Sequence, residues 1–312
     1  MQKEKTEKNK GRFFYIVLLA LVPIIWGYGF VVTEDALLGG MGAFFLLACR
    51  FLLAGLLLLL VRFALVKRKG QTLARPFRKK ECFWGLTLGV VNFFGFLLQT
   101  VGMKTTDPAR TGMLTGAYVI LVPLISCFLY KKFDYKAILN AFVFFIGMIF
   151  LADWKGGVVR TGDILCVCCS IFFAVQIICI ESFGREWDAI NFNVVQMLSM
   201  GGLGLIGAFI VGLDFAKIEW GKVIYPVLFL AVLSSALCYI IQTVAQRKVS
   251  ASLTAIFLSL ESVMSVVFGL AFERTAFTIP LLIGTIIMLG ASISATIFDV
   301  DKRDLPQKEN KE

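Results

Sequence analysis

Histidine is absent from this chain of 312 residues. That removes imidazole general bases, imidazole metal ligands and haem axial ligands in one step. Charge is also scarce. Asp, Glu, Lys and Arg make up 17% of the residues, where a soluble domain carries about 25%. No polar module between the apolar runs is large enough to bury a core of its own. Phosphate-binding loops, GxSxG, HExxH and zinc-ligand spacings are missing too. Neither nucleotide hydrolysis nor serine or zinc hydrolase chemistry has a motif to rest on, and no cofactor is implied. The eight cysteines lie almost entirely inside apolar runs. Cys166, Cys168 and Cys169 cluster without other ligand types nearby, and they read as small packing residues.

What is present is apolar length. Hydrophobic residues make up 58% of the chain, and they gather into ten stretches at about 13–33, 43–66, 82–103, 110–130, 135–153, 162–183, 190–213, 222–245, 251–272 and 277–298. Each is long enough to cross a bilayer, which takes roughly 20 apolar residues as a helix. The first follows Lys3, Lys5, Lys8, Lys10 and Arg12. It exceeds the length of a signal-peptide core and no small-x-small cleavage site follows, so it reads as an uncleaved helix.

The net charge of +10 does not point to nucleic acid, because its distribution follows the positive-inside rule. With the N-terminus in the cytoplasm, the cytoplasmic segments hold 22 Lys and Arg and the outer segments hold 7. This places a basic tail at 1–12, a second tail at 299–312 and both termini in the cytoplasm of a multi-pass cell-membrane protein. Trp84, Trp154, Trp187 and Trp220 fall at span ends, at the level of the lipid headgroups. Trp26 lies within the first span.

The ten stretches form two sets of five, 13–153 and 162–298. A shift of 143 residues lays Gln99-Thr100-Val101 on Gln242-Thr243-Val244, Thr111 on Thr254 and Gly147 on Gly290. Three successive span boundaries stay in register. Five is odd, so the second set enters the membrane inverted relative to the first. The expected fold class is therefore an all-α membrane protein of ten transmembrane helices in two inverted five-helix repeats, a plan that places a substrate site near the midplane between the repeats.

Polar groups deep in the spans are the candidates for that site. Glu261 stands near the centre of span nine. Its ionised form is disfavoured in a dry, low-dielectric setting, and a carboxyl that loads and releases a proton suits proton-coupled transport. The alternative is an acid that only joins helices. The shift places Tyr118 opposite Glu261, and Asn92 opposite Ser235. Gln99, Thr115, Gln176, Tyr239 and Gln242 lie at matching depths. Each alone suits an interhelical hydrogen bond, and Thr115 and Ser259 also suit a bond to the backbone one turn back. As a set they suggest a wet central cavity. Arg50, inside span two, needs carboxylate or carbonyl partners and reads as a lock between helices or as a binder of a substrate carboxylate. Pro123 removes one backbone hydrogen bond from span four and is expected to kink it. Gly201, Gly202, Gly204 and Gly207 form a small-residue face on span seven. Glu34 and Asp35 are adjacent at a helix end, a weak basis for a catalytic acid pair.

These residues resemble a known family. Trp26-Gly27-Tyr28-Gly29-Phe30 followed by Arg50-Phe51 resembles the opening of EamA-type carriers of the drug/metabolite transporter superfamily. Tyr118 to Pro123 resembles the start of that family's fourth helix, and Leu260-Glu261-Ser262 with Glu273-Arg274 its ninth. The resemblance runs over residues 13–298. It implies a central cavity, alternating access and movement of small metabolites, often amino acid export, without ATP hydrolysis. Ser262 stands where the family has Pro, and Tyr130-Lys131-Lys132 where it has Gly-Glu.

The function expected is secondary active transport of a small polar metabolite across the lipid bilayer, with export as the direction and the proton as a candidate coupling ion. Helix bundles would rock about a cavity lined by spans 1, 3, 4, 6, 8 and 9. Glu261 would titrate or bind a cationic group, Trp26 and Tyr118 would shape the cavity, and Asn92 and Gln176 would orient the substrate. A receptor or assembly factor on the same scaffold is the alternative. An intramembrane enzyme lacks a converging catalytic set. Substrate identity and oligomeric state stay open at this stage.

Overall fold

A computed structural model describes residues 2–67, 76–131, 134–151, 159–274 and 276–304. Trp154, Lys155, Lys132 and most of the basic connection after Lys67 lie outside these. Among the described residues the regular structure is all helical. The physical reason is the apolar surroundings, which leave no water to satisfy backbone N–H and C=O groups and so favour structure that pairs them internally.

In chain order the helices are α1 (Gln2–Leu38), α2 (Ala43–Lys67), α3 (Lys79–Gly102), α4 (Pro108–Thr115), α5 (Tyr118–Tyr130), α6 (Tyr135–Leu151), α7 (Thr161–Phe183), α8 (Ala189–Val211), α9 (Trp220–Phe229), α10 (Cys238–Ala245), α11 (Ala251–Ser259), α12 (Glu261–Ala271) and α13 (Ile279–Asp304). A π-helical segment, Leu230–Leu237, joins α9 to α10. Among the described residues, eight helical stretches are long and apolar enough to span a membrane, counting α4 with α5, α9 with α10, and α11 with α12. The fifth and tenth expected spans are shorter, with apolar helix over Tyr135–Phe150 and Ile279–Ala295. These two pack against each other, where Gly147 lies against Met288 and Ile287.

Helix starts follow local chemistry. Asp107 accepts from the Arg110 backbone N–H at 2.9 Å, with Pro108 at the first helical position of α4. Asp188 accepts from Ile190 and Asn191 at the start of α8, each at 3.0 Å. Ser250 does the same for Leu253 in α11 at 3.3 Å. Gly40, at φ +91°, turns the chain between α1 and α2.

Two helices break where they were expected to run on. The span-four helix stops at Thr115 and restarts at Tyr118, and the span-nine helix stops at Ser259 and restarts at Glu261. Tighter bonds replace the regular ladder there: Ala117 N–H donates to Leu114 O and Leu260 N–H to Phe257 O, both at 3.2 Å. The interruption of span four thus falls at Gly116–Ala117, ahead of Pro123. Pro123 crowds the carbonyl four residues back, at Val119, so the earlier interruption is not its doing. α5 is helical through Pro123.

The packing is inside-out relative to a water-soluble bundle. Large apolar side chains stand on the outside, with Phe128 85% and Ile210 80% exposed. Arg50, Asn92, Gln176 and Glu261 are buried. Small residues bring the backbones together, as in membrane bundles. α2 packs on α8 along a line of glycines: a Cβ on Gly201 or Gly204 would stand 2.7 Å from the backbone N of Leu52 or Ala48. α3 packs on both α7 and α8, and α1 on α12. At the face bearing the starts of α3 and α8, Glu81 accepts from Asp188 N–H at 2.9 Å and Asn191 at 3.3 Å, and Arg62 donates to Asn191 at 2.8 Å. At the other face, Arg110 pairs with Asp163 at 2.7 Å and Arg274 with Asp35 at 2.9 Å.

This contact geometry separates two neighbouring glycines. Gly204→Ala is expected to destabilise the protein by about 1–3 kcal/mol, because backbone atoms cannot move aside. Gly202→Ala meets nothing within 4 Å, and it is expected to leave stability unchanged or raise it slightly through better helix propensity. Thermal unfolding of the two variants in detergent checks the contrast.

Candidate functional site

The two helix breaks meet at the centre of the bundle. Tyr118 and Glu261 are the first residues after their respective breaks, and the Tyr118 hydroxyl donates to Glu261 Oε1 at 3.0 Å. Both side chains are buried. Serines and a glutamine support the breaks: Ser262 Oγ donates to the Gly112 carbonyl at 2.9 Å, and Gln99 donates to Thr115 Oγ1 at 3.0 Å. Ser262, which stands where the family resemblance expects Pro, is thus a cross-helix hydrogen-bond donor.

Tyr118 and Glu261 line a cavity together with Trp26, Gln176, Tyr239 and Arg50. The cavity also takes side chains from α3 (Phe96 and Gln99), Gln242 of α10 and Ser234 of the π segment. Its volume, measured as space for a water's centre, is about 40 Å³. That is room for about three waters, so a metabolite requires the helices to part.

Arg50 supplies the cavity's positive charge. Its Nε donates to Ser235 Oγ at 2.7 Å and its Nη2 to Ser234 Oγ at 2.9 Å. The guanidinium carbon lies 4.6 Å from the Phe96 ring centre and 5.0 Å from that of Phe51, within range of a cation–π contact. No carboxylate pairs with it among the described residues. Hydroxyl dipoles and ring faces offset only part of the cost of a buried charge, and that favours an incoming anion. The Trp26 indole N–H donates to the Ser234 carbonyl at 2.9 Å, and its ring lies 5.9 Å from that of Tyr239.

Other candidates fall elsewhere. Asn92 is fully buried with both amide atoms unpartnered, but it is not part of the cavity lining, and neither is Pro123. Gln176 Nε2 and Gln242 Oε1 line the cavity without protein partners. Glu34 and Asp35 both pair with Arg274, at 3.4 Å and 2.9 Å, which gives them a role in tying α1 to the chain after α12. Cys166 and Cys169 are free, buried thiols on adjacent turns of α7. No cluster that could hold a metal ion occurs among the described residues. Ser234, Phe96 and Thr33 on the lining were not singled out from the sequence. Adjacent serines in span eight were the only signal for Ser234, and nothing in their spacing announces a π turn.

The cavity is closed on one side by polar ties. Gln242 donates to Gln246 at 3.2 Å, Gln246 to the Ile177 carbonyl at 2.9 Å, and Asn193 to Thr243 at 2.9 Å. Arg247 donates to the Trp187 carbonyl beyond them. At the opposite face lies an open recess of about 720 Å³, bordered by Glu34, Lys104, Asp107 and Arg160.

Among the described residues, Tyr118 is the one donor that the Glu261 carboxyl meets. A double-mutant cycle of Tyr118→Phe and Glu261→Met, read by thermal unfolding, is expected to give a coupling of about 1–3 kcal/mol. Additive effects would mean that the contact contributes nothing to stability.

Known proteins share this architecture. A crystal structure of another protein superposes with a TM-score of 0.72 at 16% identity, covering 91% of this chain and 96% of that one. An uncharacterized transporter of Archaeoglobus fulgidus is 29% identical over 287 residues, covering 89% of this chain and 84% of that protein. An uncharacterized transporter of Methanothermobacter thermautotrophicus is 22% identical over 291 residues, covering 85% and 84%. YyaM of Bacillus subtilis, also an uncharacterized transporter, is 21% identical over 242 residues, covering 72% and 76%. The model of the EamA-like transporter family matches twice, at residues 13–152 and 160–297. Spanning helices, a cavity with charged and amide side chains inside an apolar shell and this double match lead to one conclusion: the chain is a multi-pass membrane protein of the EamA-like transporter family.

Proposed function

We propose that this protein is a secondary active exporter of a small metabolite that carries both a carboxylate and an ammonium group, an amino acid or a close relative. The observation that carries the reading is the charge pattern of the cavity. Arg50 lacks a carboxylate partner, and Glu261 lines the same space. Arg50 receives the substrate carboxylate. Glu261 receives the ammonium group or a proton, and exchange between the two couples transport to the proton gradient. Trp26, Tyr118 and Tyr239 shape the space, and Gln176 offers its unpartnered amide N–H. The protein sits in the cell membrane with both termini in the cytoplasm, as the charge bias argues.

The mechanism is alternating access between two inverted repeats. Four features support the repeat. The family model matches each half. The two helix breaks superpose under the 143-residue shift, with Tyr118 falling on Glu261. The pairings α2 with α8 and α6 with α13 map onto themselves under the same shift, and α4 with α12 maps onto α5 with α11. Finally, Tyr118 and Glu261 touch each other, as equivalent residues beside a two-fold axis do. Broken helices facing a central site are the transporter use of such repeats. The closed polar ties at one face and the recess at the other suit one state of the cycle.

Reconstitution in protein-only liposomes with labelled L-amino acids tests the reading. Wild-type protein is expected to show saturable, pH-dependent flux. Glu261→Gln is expected to flatten the pH dependence, and Arg50→Gln to weaken substrate affinity about 10- to 100-fold. Unchanged pH-dependent flux in Glu261→Gln would remove that residue from coupling. Binding without flux in wild type would point to a receptor.

A further inference from the structure

Ser234 and Ser235 are consecutive residues, yet both hydroxyls accept hydrogen bonds from one guanidinium. In an α-helix, neighbouring side chains diverge by roughly 100°. Both serines lie in the π-wound segment Leu230–Leu237, whose smaller turn per residue narrows that divergence, and such segments are frequent at functional sites. The segment is pinned from a second direction by the Trp26 indole N–H on the Ser234 carbonyl.

An arginine fork has five N–H donors. The serines take Nε–H and one Nη2–H, which together form one side edge of the fork. The rings of Phe51 and Phe96 lie against the guanidinium. Two N–H groups on Nη1 and one on Nη2 have no partner among the described residues. The edge between Nη1 and Nη2 is thus the free edge with two parallel donors. A planar carboxylate matches such an edge with both oxygens. A single guanidinium also balances a single negative charge, which suits a monocarboxylate.

We propose that Ser234 and Ser235 are positioning residues for selectivity: the π-wound pair holds the side edge of Arg50 and presents its end edge to the carboxylate of the transported molecule. This rests on the reading of the cavity as a carboxylate site. Ser234 borders the cavity, but both serine hydroxyls accept from Arg50, and the pair acts on selectivity through it. They set which edge of Arg50 meets the substrate, and thereby how strongly the site prefers an acid over its uncharged amide.

Ligand-induced thermal shift on the purified full chain measures this preference. The probes are the common L-amino acids, their C-terminal amides and sodium acetate as the bare carboxylate. In wild type, at least one amino acid is expected to stabilise the protein at a concentration tenfold or more below its amide. The double variant Ser234→Ala/Ser235→Ala is expected to shrink that acid-to-amide ratio about tenfold, as loss of hydrogen bonds to a charged group implies. A residue that merely fills space would lower the unfolding temperature without changing the ratio. Should the double variant fail to fold, each single alanine variant is scored on the same ratio, with a smaller shift in the same direction. If Arg50→Gln abolishes the preference while the serine variants keep it in full, the positioning role falls and the carboxylate site stands. If neither acetate nor any amino acid stabilises wild type beyond the matching amide, both fall.

Discussion

The hydrogen bond from Tyr118 to Glu261 joins two helix breaks at the centre of the bundle, and much of the interior is arranged around it. A break exposes backbone groups that lipid cannot satisfy. Such breaks therefore survive only in the interior, with side chains to cover them. Short-range backbone bonds such as Ala117 N–H to Leu114 O and Leu260 N–H to Phe257 O pair part of that backbone, and Ser262 on the Gly112 carbonyl and Gln99 on the Thr115 hydroxyl tie the broken helices to their neighbours. The glycine contacts of α1 with α12 and of α2 with α8 draw the surrounding helices close enough to shut lipid out. What remains between them is a small polar space holding an acid and a base that do not neutralise each other.

Polarity and apolarity trade places in this fold. The outside carries Phe128, Ile210 and other large apolar side chains, which in water would drive aggregation. The inside carries Arg50, Glu261 and a series of amides. Several of these amides, Asn92 and Gln196 among them, are buried without partners. An unmade hydrogen bond on a buried group costs about 1–3 kcal/mol, so a single rigid conformer is a poor home for them. A protein that alternates between closed and open arrangements has a use for polar groups that are dry in one state and wet in the other.

The π segment shows how a local irregularity and a distant charge depend on each other. Arg50 sits on α2, far in sequence from Ser234 and Ser235, and its two hydrogen bonds fall on the stretch where span eight departs from α geometry. Neither feature is legible alone. A buried arginine in a sequence calls for an anion, and two serines in an apolar run look like packing. Only their meeting shows which donors of the arginine tie α2 to span eight and which are left over.

The sequence by itself determined the membrane setting, the helical class, the number and order of apolar stretches, and most of the polar side chains that line the cavity. These follow from periodicity, length and the cost of polar groups in hydrocarbon, which are local properties. It also paired Tyr118 with Glu261 by simple arithmetic on the halves. The tertiary structure decided that these two residues bond directly, that span four breaks at Gly116–Ala117, and that Asn92 is not on the cavity lining. It decided the partners of Arg50 as well. The reason is geometric: which face of a helix meets which neighbour, and where a backbone departs from regular winding, depend on contacts between segments more than a hundred residues apart.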